Sequence, residues 1–183
     1  MMYSIPLFPD HTLYLLLLTG LSAEKMAELF GSELRGSAAL LDPALTPSPR
    51  CVASAVSKAL LSCAARGRAL SGTVHGEVCR ALLGGKSSSD AARLLGSPRG
   101  DAAVVALVDA PQRTGSTGLE ASAVLAERFA CRAIEWVPAF DAAAVAAAWK
   151  IPAAELSLGA DGCAIGALEA AVLVRIGCGS DVS

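Results

Sequence analysis

The chain has few aromatic residues and few histidines, and both shortages limit what it can bind and catalyse. Aromatic residues make up 4% of the 183 residues, and the only histidines are His11 and His75. Residues 50–100 contain no Phe, Tyr or Trp at all. Base stacking on aromatic side chains therefore cannot be the main way in which that segment grips a nucleic acid.

Metal and redox motifs are absent from the sequence as well. Six cysteines are scattered along the chain, and no two of them have the C-x-x-C spacing of a zinc or redox motif. No His-x-x-x-His pair or cluster of carboxylates occurs either. We expect no metal site and no cofactor, and a domain of this length does not need disulfides to fold.

Long apolar runs are also missing. The most membrane-like stretch, Leu13–Leu18, is far shorter than the roughly 20 residues needed to span a bilayer. Near the start, no basic first region precedes it, and Pro6, Pro9 and Asp10 interrupt the apolar residues that a signal peptide would require. We expect a protein of the cytoplasm and nucleus that makes no use of a membrane.

Length and composition favour one folded domain. A chain of 183 residues is long enough to bury about 70% of its unfolded surface, and too short for two comfortable domains. Hydrophobic residues make up 54% and charged residues 17%, which is far from the composition of disordered chains. We expect residues 1–183 to form one domain in which helices dominate.

Hydrophobic periodicity and turn residues predict the order β, α, α, β, α, β, α, β, α, α, which is an α+β fold with a small mixed sheet of about four strands covered by helices. The predicted strands are Thr12–Leu18, Glu77–Leu83, Ala102–Val108 and Cys131–Val137. The predicted helices begin at Ser22, Pro49, the serines 87–89, Thr117, Asp141 and Asp161. Gly67 is expected to end the second helix.

Charge is distributed unevenly. Residues 50–100 carry eight basic side chains against two acidic ones, a net charge of +6, while the remaining residues carry −8. The overall net charge of −2 hides this division. A basic face lowers the energy of an approaching polyanion, and an acidic remainder repels it.

Motifs for catalysis are incomplete. Gly84-Gly85-Lys86-Ser87 matches the end of a phosphate-binding P-loop, but Arg80 stands where the first glycine of that motif belongs. A Ser or Cys nucleophile would need His11 or His75 as its base, and neither lies in a recognisable arrangement. The sequence therefore argues against a self-contained enzyme. The alternative that stays open is a small-molecule enzyme in which a Cys or Ser nucleophile works with His75.

Several segments, taken in order, resemble the kinase-binding subunit of the KEOPS (EKC) complex. The resemblance covers nearly the whole chain, and its specificity comes from the order and spacing of motifs that are individually soft. The segment Gly72–Gly76 is an addition relative to that family. The matching segments are Leu7–Asp10, Leu13–Leu18, Asp42-Pro43, Val52–Ala65, Leu70-Ser71, Glu77, Ser88–Gly96 and Ile165–Ile176.

The resemblance implies a non-catalytic subunit of the assembly that makes threonylcarbamoyladenosine in tRNA. In that family the subunit binds the PRPK-type kinase subunit through helices and helps to recruit tRNA through its 3′ end. The implied kinase contact lies on the first and last helices, although the same apolar stripes could instead face the core of this chain. The residues concerned are Met26, Leu29, Phe30, Leu168, Val172 and Arg175.

The basic segment supplies the candidates for tRNA. Arg66, Arg68, Lys86 and Arg93 belong to one stretch of the chain that contains almost no acidic residues. Because that stretch lacks aromatics, we expect contacts to phosphate and sugar, with the serines 87–89 as further donors. The competing interpretation is that these four side chains form an ordinary solvated face.

Overall fold

The fold was obtained as a computed structural model, which describes residues 2–5, 7–31, 38–69, 72–84, 87–96, 100–109, 118–137, 139–156 and 164–178. Among these residues there are five strands and eight helices. The strands are β1 (Met2–Ile5), β2 (Phe8–Thr19), β3 (Ala38–Leu41), β4 (Ala103–Asp109) and β5 (Arg132–Glu135). The helices are α1 (Ala23–Gly31), α2 (Pro49–Arg66), α3 (Val74–Leu82), α4 (Ser88–Leu95), α5 (Gly118–Arg128), α6 (Ala142–Trp149), α7 (Ala153–Leu156) and α8 (Ala164–Cys178).

Strand β2 is the centre of the sheet. It pairs with β4 along one edge, and on its other edge β1 and β5 follow one another, so that Tyr14 is opposite Met2 and Leu17 is opposite Ile134. Strand β3 extends the sheet beyond β4. Each of these described pairings is antiparallel. The sheet is therefore open, with β3 at one edge and the two short strands at the other.

Alternation along the strands divides the core into two layers. Successive side chains of a strand point to opposite faces of the sheet. Leu15 and Leu41 accordingly pack with α2, α3, α6 and α8 on one face, which carries the larger core cluster. Leu18 and Leu40 pack with α1 and α5 on the other face. The two faces are covered by different sets of helices.

Local sequence explains where the helices begin and end. Ser48 accepts a hydrogen bond from the backbone N–H of Cys51 and is followed by a proline in the first turn of α2. Gly67 adopts the left-handed conformation, with φ of 68°, and ends that helix. Asp141 accepts from two backbone N–H groups at the start of α6. These three predicted helix boundaries are confirmed.

The α+β class is confirmed, but one predicted strand is wrong. Glu77–Leu83 was expected to form a strand, whereas Val74–Leu82 is the helix α3. Thr73 accepts from the N–H of Gly76 and caps this helix, and Val78 and Leu82 lie one turn apart on its buried side. Strands β1 and β3 were not predicted. The sheet therefore has five described strands, all antiparallel, instead of about four in a mixed arrangement.

Helix α3 also closes the exposed edge of β3. His75, in the first turn of α3, accepts a hydrogen bond through Nδ1 from the backbone N–H of Leu40, with 3.2 Å between the nitrogens. The backbone N–H of Asp42 donates to the carbonyl oxygen of Leu95 at the end of α4. An open strand edge is a template for pairing with other chains. Here α3 and α4 satisfy edge donors that would otherwise be open to such pairing.

Candidate nucleic-acid interface

Arg66 and Arg68 lie where α2 ends. Arg66 is the last residue of the helix, and both side chains are exposed. The guanidinium of Arg66 turns back along the helix, and its Nη1 donates to the hydroxyl of Ser62 at 2.7 Å. Two of the four arginine and lysine residues selected from the sequence are therefore neighbours on an exposed helix end.

A third arginine, which was not among the four basic residues selected from the sequence, reaches the same hydroxyl. Arg80 of α3 points its Nη2 at Ser62 Oγ, 3.3 Å away. Because Arg66 Nη1 lies 2.7 Å from that oxygen, the two nitrogens are at most 6.0 Å apart. The packing of α2 against α3 thus joins two guanidinium groups that are 14 positions apart in the sequence.

One of these two charges has a carboxylate partner. Glu77 is buried, and its Oε2 accepts from both Nε and Nη2 of Arg80 at 3.2 and 2.9 Å. The described contacts give Arg66 no carboxylate of its own. The group defined by Ser62, Arg66, Glu77 and Arg80, which we call the α2–α3 corner, therefore carries one more positive charge than negative.

The thiol beside this corner adds no negative charge. Cys63 is half-buried, and burial together with the charge of Glu77 raises its pKa, against the opposing effect of Arg80 and Arg66. At neutral pH the side chain is a thiol, and a thiol with a raised pKa is a poor nucleophile. The corner consequently offers guanidinium donors and a hydroxyl.

The other two selected basic residues are Arg93 and Lys86. Arg93 is exposed on α4, a helix that packs against α3, and within the described residues no hydrogen bond or ion pair links it to Arg66. Lys86 lies outside the described residues. Ser87, in contrast, caps α4 by accepting from the N–H of Asp90 and by donating to its carboxylate. That serine serves the helix, and the proposed role for it in binding stays a prediction.

His75, the base in the alternative enzyme interpretation, lies inside the fold. It belongs to the first turn of α3 and is 0% exposed. Its ring lies 3.9 Å from the sulfur of Cys79, one helical turn later, and that residue is also 0% exposed. A cysteine and a histidine do meet here, but neither reaches the surface where a substrate could approach. The pair instead fills the space between α3, β3 and Phe30, whose ring meets His75 edge-on.

The residues selected for the kinase contact are mostly in the core. Met26 and Leu29 of α1 pack against one face of the sheet, and Leu168 and Val172 of α8 pack against the other. Each of these four side chains is buried. These four side chains therefore belong to the chain's own core, as the competing interpretation of the apolar stripes expected. A partner docked on these helices would meet their exposed residues.

Two members of the proposed contact remain nearer the surface. Phe30 is half-buried at the edge of its cluster. Arg175 donates from Nη1 and Nη2 to the two carboxylate oxygens of Glu155, at 2.7 and 2.8 Å. The same hydrogen bonds lower the pKa of Glu155. Since α1 and α8 cover opposite faces of the sheet, Phe30 and Arg175 do not belong to one flat patch.

The described part of the chain has neither a candidate metal site nor a membrane span. No group of three or more His, Cys, Asp or Glu residues there could hold a metal ion. The cysteines in that part are free thiols. None of the described helices is both long enough and apolar enough to cross a membrane.

No protein-family model matches the chain, and no curated protein matches it significantly.

Proposed function

We propose that this chain is a non-catalytic subunit of a KEOPS-type assembly, in which it binds the PRPK-type kinase subunit and helps to recruit tRNA. The order of the motifs along the chain supports this proposal. The observation that carries it is the α2–α3 corner, where Arg66 and Arg80 converge on the Ser62 hydroxyl next to exposed Arg68. Guanidinium groups are the preferred donors to phosphate.

The corner suits the backbone of a nucleic acid better than its bases. No aromatic residue occurs between positions 50 and 100, so bases have no ring to stack on there. Phosphate contacts position a nucleic acid without reading its sequence. Binding should therefore be weak and sensitive to salt. If about three phosphates are neutralised on a single-stranded 3′ end, the slope of log K against log salt should be about −2.

The tRNA part can be tested by reversing two exposed charges. The double variant Arg66→Glu, Arg93→Glu should weaken binding of a labelled tRNA and flatten the salt dependence, because it replaces attraction by repulsion. The control is Arg132→Glu with Lys150→Glu, which changes the net charge equally at exposed positions outside residues 50–100. Equal losses in both double variants, or none in the first, would remove the basic segment from the proposal.

The proposed kinase contact has to be tested at an exposed position of α8. Val172 is 0% exposed, so an Asp at that position would destabilise the fold. Val174 of α8 is 53% exposed. Val174→Asp should abolish co-purification with a KEOPS kinase subunit and leave the unfolding temperature nearly unchanged. The matched control is Val124→Asp on α5, where the side chain is 60% exposed on the other face of the sheet. Retention of the kinase by Val174→Asp would rule out contact through this face of α8.

A further inference from the structure

We infer that Ser62, Arg66 and Arg80 form one discrete binding site for an RNA phosphodiester, an inference that rests on the proposed tRNA role. Ser62 and Arg80 were not among the residues selected from the sequence, and no described hydrogen bond links Arg93 to them. Each of the two helices supplies one guanidinium, and α2 also supplies the hydroxyl between them.

The position of the Ser62 hydroxyl defines the geometry of this site. Its oxygen accepts from Arg66 at 2.7 Å and from Arg80 at 3.3 Å. An oxygen atom held between two guanidinium groups is the arrangement that a phosphate oxygen adopts in charge-assisted recognition. The hydroxyl therefore marks a position at which both guanidinium groups can donate to one phosphate oxygen.

Burial of Glu77 makes one half of the site rigid. The carboxylate is 1% exposed and holds Arg80 through two nitrogens, which fixes the plane of that guanidinium. Arg66 is exposed and is oriented by the hydroxyl. A donor held by a buried carboxylate beside a donor exposed to solvent suits a ligand that arrives from solvent, because only the exposed side chain has to change its hydrogen bond on binding.

Charge at the site favours a single phosphate. Two guanidinium groups face one carboxylate, and the raised pKa of the Cys63 thiol keeps that neighbour neutral at pH 7. The surplus of one positive charge matches the single negative charge of a phosphodiester. Neutralising one phosphate of a single strand changes the slope of log K against log salt by about 0.7.

Three single substitutions test the site with a labelled tRNA transcript. Ser62→Asp places a carboxylate between the two guanidinium groups, where it competes directly with phosphate. We expect its affinity to fall about tenfold at low salt, the size of one charge-assisted hydrogen bond, and its salt slope to fall in magnitude by about 0.7. The control Ala64→Asp adds the same charge at an exposed position of the same helix end and should leave the slope unchanged.

Ser62→Ala separates the charge effect from a structural one. It removes the hydroxyl but keeps both arginines, so its affinity should stay within about twofold of wild type, well under the tenfold that one charge-assisted bond represents. Loss of binding in Ser62→Ala as large as in Ser62→Asp would overturn the inference, and so would equal salt slopes for Ser62→Asp and Ala64→Asp. Wild-type protein that fails to bind tRNA at low salt would overturn the proposed function itself. A transcript without its 5′-phosphate should bind equally well, and weaker binding would assign the site to that terminal group.

Discussion

Two corners of this protein each contain an ion pair between an arginine and a carboxylate, and the two corners differ in their balance of charge. At the α7–α8 corner, Arg175 and Glu155 form a two-point ion pair with one charge of each sign. At the α2–α3 corner, Arg66 and Arg80 share one hydroxyl, and the single carboxylate belongs to Arg80. The balanced pair joins two helices of the same chain. The unbalanced corner has donor capacity left for another molecule.

Burial accounts for a second difference between the corners. The side chain of Glu155 is 36% exposed, while that of Glu77 is 1% exposed. Exposed ion pairs contribute little to stability because water screens them, whereas removing one partner from a buried pair leaves a charge without compensation. Charge removal should thus affect folding at the α2–α3 corner far more than at the α7–α8 corner.

The largest effect is expected for Arg80→Gln. This change leaves the buried carboxylate of Glu77 without its guanidinium, and we expect the free energy of unfolding to fall by about 3 kcal/mol. Urea denaturation would measure it. In the double variant Glu77→Gln, Arg80→Gln both side chains are neutral and can hydrogen-bond, so most of the lost stability should return. If the single and double variants are equally unstable, the charge of Glu77 is not the cause.

A smaller effect is expected for His75, in the first turn of the same helix α3. His75→Ala removes the acceptor for the N–H of Leu40, and an unsatisfied buried donor costs about 1–3 kcal/mol. His75→Asn offers an amide oxygen near the position of Nδ1 and should recover part of that loss. Thermal unfolding of the two variants gives the comparison. An Asn variant no more stable than the Ala variant would show that packing, and not this hydrogen bond, accounts for the role of His75.

The smallest effect is expected at the α7–α8 corner. Hydrogen bonds from Arg175 lower the pKa of Glu155 from its ordinary value of 4.5. A lowered folded-state pKa contributes stability above the ordinary value, and that stability is lost as pH falls through the lowered pKa. Glu155→Gln should therefore be slightly less stable than wild type at pH 7, and the difference should vanish in acid. A difference that persists or grows at low pH would contradict the ion pair.

Local sequence was enough to predict three helix boundaries and the fold class. Ser48, Gly67 and Asp141 act through their immediate neighbours, so their roles follow from the residues beside them. Strand β3 could not be predicted in this way, because it has only four residues and all of them are apolar. Its partner β4 and its covering helix α3 are distant in sequence. The same dependence on long-range packing explains why Glu77–Leu83 was mistaken for a strand.

The candidate site was only partly predictable for the same reason. A surplus of basic residues between positions 50 and 100 is visible in the sequence, and it led to Arg66 and Arg68. Arg80 belongs to that surplus but lies in a segment that was expected to be a strand. Its contact with Ser62 depends on α2 and α3 packing side by side. A helical interpretation of residues 74–82 would have placed Glu77 and Arg80 one turn apart and suggested their ion pair.

The most direct test compares one arginine from each corner. Arg66→Gln and Arg175→Gln remove the same charge from the same residue type, and tRNA affinity can be measured for both at several salt concentrations. Our account predicts that Arg66→Gln flattens the slope of log K against log salt by about 0.7, while Arg175→Gln keeps the wild-type slope. Equal slopes for the two variants would show that tRNA responds only to net charge, and would contradict the assignment of phosphate binding to the α2–α3 corner.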